Sequence, residues 1–111
     1  MPYNEQTANR VRPLMRRRKG FEEKKMFGGV GFLLNGNMCC GAWKEFLVLR
    51  VGREIYEDAL SQRHAKEFDI TGRSMTGWVM IEPAGFESVD DLKGWVSLVV
   101  EFTRSLPTKE K

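Results

Sequence analysis

The sequence holds little of what reactive or secreted proteins are built from. It has one histidine, His64, and two cysteines, Cys39 and Cys40, which are adjacent. Zinc draws about four ligands, mostly from Cys and His, so a metal site is not expected. Neighbouring residues of a strand point to opposite faces, which would separate the two thiols. Adjacent cysteines cannot staple distant segments as the disulfide frameworks of small secreted domains do, and a reducing, cytoplasmic setting is expected. No apolar run approaches the roughly 20 residues of a spanning helix. The N-terminus also lacks the apolar stretch and small-residue cleavage site of a secretory signal, so no membrane partner is expected.

What is present suits one globular domain spanning residues 1–111. The hydrophobic fraction is 41%, with seven Phe and three Trp, enough to bury one core in a chain too short to divide into two. The net charge of +3 is unevenly placed: residues 1–25 carry eight Arg/Lys against three Glu, a net of +5, and the remainder carries −2. The basic character is concentrated in Arg16-Arg17-Arg18-Lys19.

Periodicity gives the elements. Ala8, Val11, Leu14 and Met15 recur at helical spacing between Asn4 and Lys19, with Asn4 placed to cap the helix and Gly20 to end it. Pro13 predicts a kink or a late start, because proline removes a helical hydrogen bond and crowds the preceding turn. From Phe21 to Val51 short apolar runs are punctuated by glycine, the texture of strands. Asn35-Gly36 supplies the positive φ angles of a type I′ turn between Val30–Leu34 and Asn37–Trp43. A second reversal at Lys44-Glu45 returns Phe46–Val51.

Ile55, Tyr56, Ala59 and Leu60 form the stripe of a short second helix. Lys66–Ile70 and Met75–Glu82 read as a second hairpin through Thr71-Gly72-Arg73, stopped by Pro83 and Gly85. Ser88 and Asp91 resemble a capping box, after which Leu92, Trp95, Val96, Val99, Phe102, Thr103 and Leu106 recur at helical spacing until Pro107. A tail is expected over residues 107–111. The predicted class is α+β, a two-layer domain in the order α-β(3)-α-β(2)-α. An antiparallel sheet of about five strands would carry the helices on one face, where a common layer buries each helical stripe.

Lys24-Lys25-Met26-Phe27-Gly28-Gly29-Val30-Gly31-Phe32, followed by Asn35-Gly36-Asn37-Met38, resembles the opening of the TfoX N-terminal domain family. The stretch from Phe68 through Asp69-Ile70-Thr71-Gly72-Arg73-Ser74-Met75-Thr76-Gly77 to Trp78-Val79, and the Trp95 helix ending in Leu106-Pro107, resemble it too. The resemblance implies a fold similar to secretion chaperones and a link to regulators of competence for DNA uptake, in which this domain is joined to a C-terminal helical domain. A stand-alone domain without that second part is expected here. The family brings no catalytic residues.

The remaining motifs have structural readings beside functional ones. Gly28-Gly29-Val30-Gly31 lacks the Lys-Ser/Thr and the following helix of a phosphate loop, so a bulge or tight bend accounts for it. Asp90-Asp91 sits at a helix start, where the dipole favours carboxylates. Cys39 and Cys40 read as small core residues, with a strained vicinal disulfide as the redox alternative. Trp43, Trp78 and Trp95 read as core aromatics. Arg16, Arg17, Arg18 and Lys19 either meet the negative pole of their helix or neutralise the phosphates of a nucleic acid or an acidic partner. The expectation is a non-enzymatic, regulatory interaction module with a protein partner or a homodimer through an open sheet face or edge. No cofactor, metal or small-molecule substrate is expected, and the alternative is a nucleic-acid-associated protein using the basic segment.

Overall fold

A computed structural model describes residues 5–26, 28–68 and 75–107. The first helix, α1 (Glu5–Arg16), buries Thr7, Ala8, Val11 and Met15 along one stripe, as its periodicity requires. Asn4, the expected cap, lies outside the described residues. Pro13 does not delay the start: the helix runs through it, and Pro13 is exposed in the last turn. There it costs the one bond to the Asn9 carbonyl.

A four-strand antiparallel meander follows: β1 (Phe21–Met26), β2 (Gly29–Leu34), β3 (Asn37–Trp43) and β4 (Phe46–Arg50). Three strands were expected here. The additional one, β1, carries Glu22, Glu23, Lys24 and Lys25 in its six residues. An edge strand facing water needs no apolar alternation, and charge there discourages pairing with another chain. Asn35 (φ 53°) and Gly36 (φ 82°) form the predicted two-residue turn between β2 and β3. Lys44 (φ 53°) opens the turn into β4.

The chain continues through α2 (Tyr56–Leu60), β5 (Ala65–Glu67), β6 (Trp78–Ile81), a 3₁₀ turn at Pro83–Gly85 and α3 (Val89–Arg104). The connection predicted at Thr71-Gly72-Arg73 and the tail past Pro107 lie outside the described residues. Ser88 caps α3, its Oγ accepting the Asp91 N–H at 3.0 Å. The six strands are antiparallel in the order β1-β2-β3-β4-β6-β5, so β6 is inserted between β4 and β5. The order along the described chain is α-β(4)-α-β(2)-α.

All three helices contribute to one core. Ala8, Val11 and Met15 of α1, Tyr56 and Ala59 of α2, and Leu92, Val96, Val99 and Val100 of α3 pack on Phe32, Leu34, Leu47, Leu49, Val79 and Ile81 of the sheet. The opposite sheet face carries a smaller cluster of Val48, Phe68 and Met80, against which Trp43, Phe46 and Trp78 pack. Among the described residues no helix is long and apolar enough to cross a membrane.

One local prediction is overturned. Cys39 and Cys40 do not face opposite sides of the sheet; both are fully buried in the same core cluster. The register explains this: Cys40 pairs with Phe32 and Met38 with Leu33, leaving Cys39 as an extra, unpaired residue. Such a bulge interrupts the strict two-residue alternation of side chains.

Candidate functional site

A groove of about 720 Å³ lies between α2 and α3. Ile55 and Ala59 stand one helical turn apart on one wall. Asp91, Gly94, Trp95 and Leu98 supply the other, at spacings that place them along one side of α3. Trp95 is fixed from behind, its indole N–H donating to the Gly85 carbonyl at 3.1 Å and tying α3 to the 3₁₀ turn. The floor is therefore apolar, and Ile55, Trp95 and Leu98 are only partly buried.

The rim is polar, with the carboxylates Asp58, Asp90 and Asp91 against one Arg63 and the half-buried His64. His64 takes a left-handed backbone (φ 71°), and its carbonyl accepts the Glu82 N–H at 2.9 Å. Among the described residues its imidazole makes no hydrogen bond to a carboxylate. Nor do three metal-ligating side chains converge anywhere among the described residues.

The groove was not foreseen from the sequence, but a signal for it exists in Gly94. Glycine inside a helix costs about 0.5–1 kcal/mol relative to alanine. A Cβ built on Gly94 meets nothing within 4 Å, so packing does not demand the glycine. Trp95, read as a core aromatic, stands instead at the core's margin beside the groove.

The predicted basic segment is divided by the fold. Arg16 ends α1, and Arg17 and Lys19 are exposed. Arg18 is half-buried, its Nε donating to the Leu14 carbonyl at 3.2 Å and its N–H to the Met15 carbonyl at 2.9 Å. Arg18 thus covers the carbonyl end of the helix, as the dipole favours.

The thiols form a coupled pair inside the core. A hydrogen bond from Cys40 is the main cause holding the Cys39 pKa below its ordinary value, against the opposing effect of burial. The same bond, burial and the charge on Cys39 push Cys40 well up. Thr103, Arg18 and Arg50 also favour the Cys39 thiolate.

The glycine-rich run is structural in its geometry. Gly28 (φ 75°) sits in the tight reversal from β1 to β2. A Cβ on Gly29 would collide with the Ala42 carbonyl oxygen, and one on Gly41 with that of Val30. Close approach of β2 and β3 therefore requires both glycines, and the bulge lies beyond them in β3, at Cys39, between the pairings of Phe32 and Leu33.

These features define an α+β domain with three helices over one face of an antiparallel sheet and an apolar, acid-rimmed groove between two of them. The family model of the TfoX N-terminal domain matches residues 13–103, from the last turn of α1 to the last turn of α3, and the chain belongs to that family. Comparison with curated proteins and with solved structures gave no match.

Proposed function

We propose that this chain is a non-enzymatic interaction module whose groove between α2 and α3 receives an apolar segment bearing basic residues from a partner protein. The supporting observation is Gly94. Intrinsic helix stability is given up at a position on the groove wall where alanine would fit without a clash. Departures from local consistency without a packing reason concentrate at functional sites. The half-exposed floor of Ile55, Trp95 and Leu98 provides apolar contact area, and three rim carboxylates against one arginine favour a basic ligand. Helix-in-groove recognition takes this form, with apolar anchors at helical spacing.

The test uses two amphipathic helical peptides of equal length, one of leucine and lysine and one of leucine and glutamate, titrated into the ¹⁵N-labelled chain. The lysine peptide is expected to shift amides of residues 55–64 and 90–98 and to bind at least about tenfold more tightly than its acidic counterpart, a difference of about 1.4 kcal/mol. Gly94→Tyr, which fills the groove from an unobstructed Cβ, is expected to abolish these shifts while circular dichroism stays native. Equal binding of both peptides, shifts mapping elsewhere, or unaltered binding to Gly94→Tyr would refute the proposal.

A further inference from the structure

A second, smaller cavity of about 90 Å³ lies where the end of α1 meets α3, lined by Leu14, Arg17, Arg18, Lys93, Val96 and Ser97. Leu14 lies in the last turn of α1 and Arg17 and Arg18 follow its end, while Lys93, Val96 and Ser97 lie along one face of α3. Two elements therefore turn three cations and one hydroxyl toward a common space above Leu14 and the buried Val96. No carboxylate lines it.

The side chains of Arg17 and Lys93 make no ion pair or hydrogen bond among the described residues. Helix carbonyls would ordinarily repel an anion at this end of α1, but the Leu14 carbonyl is occupied by Arg18 Nε. The remaining N–H groups of that guanidinium stay available to a ligand. We infer that this cavity is a binding site for a terminal phosphate group, a phosphomonoester held by Arg17, Arg18 and Lys93 with Ser97 Oγ as a fourth donor.

The charge pattern selects this ligand. The cavity of about 90 Å³ admits a tetrahedral anion. A phosphomonoester carries a charge of about −1.5 to −2 with three strong acceptor oxygens, and arginine's planar fork matches that geometry. A nucleic-acid backbone carries one charge per phosphodiester and is neutralised along a track of cations. Here Arg17 and Arg18 meet Lys93, distant in sequence, at one point, while Arg16 and Lys19 do not line the cavity. The basic run is thereby resolved into two residues of a site and two outside it.

The full chain is titrated with inorganic phosphate, and with sodium chloride at matched ionic strength, while ¹⁵N amide shifts are followed. Phosphate alone is expected to shift residues 17, 18, 93 and 97. Methyl phosphate is expected to compete, dimethyl phosphate is not, and binding should tighten as the pH rises through about 6 and the second proton leaves. Arg17→Ala/Lys93→Ala, which alters two side chains without partners, is expected to stay folded and to bind at least about tenfold more weakly. Four results would overturn the inference: the same shifts with chloride, unchanged affinity in the double variant, dimethyl phosphate as tight as methyl phosphate, or an unphosphorylated DNA duplex displacing the phosphate. The last two would assign these cations to a phosphodiester backbone.

Discussion

Two glycines of this chain invite opposite outcomes from the same substitution. Gly52 has φ of 86°, and a Cβ there would strike the Phe102 ring. The guanidinium of Arg50 stacks on that ring at 5.8 Å and on Trp78 at 5.7 Å, so the ring cannot withdraw without loosening a second contact. Gly52→Ala is expected to cost more than about 1 kcal/mol from backbone strain alone. Gly94 has open space and ordinary helical geometry, and Gly94→Ala is expected to add about 0.5–1 kcal/mol. For a chain of this size that gain raises Tm by roughly 2–8 °C. Urea titration and calorimetry of the two variants check both signs. The sequence displays both glycines but not their surroundings. The Asn35-Gly36 turn was legible because its chemistry is local, whereas the role of Gly94 depends on how α2 lies across α3, which no window of residues encodes.

At the scale of elements the bulge in β3 shows where legibility stopped. The existence of β2, β3 and β4 followed from apolar texture, yet the register shift between Phe32 and Leu33 arises from pairing across two strands, and it places Cys39 and Cys40 in one core. Their opposed ionisation has a consequence for stability. Unfolded thiols titrate near about 8.5. Cys39, lowered in the folded chain, contributes stability present above that value and lost as the pH falls through its folded pKa. Cys40, raised, contributes stability present below that value and lost as the pH rises toward its folded pKa. As the pH rises past the ordinary thiol value the unfolded pair sheds both protons while the folded pair holds that of Cys40. Native stability then falls by up to about 1.4 kcal/mol per pH unit from this source. The Cys39→Ala/Cys40→Ala chain is expected to lack that component, so the wild-type urea midpoint should drop faster than the variant's as the pH rises above the ordinary thiol value of about 8.5. Parallel curves would show that the pair titrates no differently folded and unfolded.

Taken whole, the molecule is asymmetric about its sheet, with helices over one face and an aromatic cluster on the other. The element order made the helix-covered face readable, since each amphipathic stripe needs a common layer. It could not show how the second face is closed. Among the described residues Phe68 covers part of it, seated edge-on to Trp43 at 5.9 Å and tilted against Trp78 at 5.8 Å. Lys44 lies over Trp43 at 4.7 Å and Lys66 over Phe46 at 5.8 Å. Cations over these rings place charge at the margin of the apolar cluster. Phe68 is nearly buried at 7% exposure, and Phe68→Ala is expected to cost about 3 kcal/mol, the lower end for an aromatic truncation because this cluster is small. The same change uncovers Trp43 and Trp78. Their emission should move to longer wavelength and become open to iodide quenching, and the chain should sediment as a larger species as concentration rises. Unchanged emission and a constant sedimentation coefficient in a destabilised variant would mean that Phe68 does not shield the two indoles.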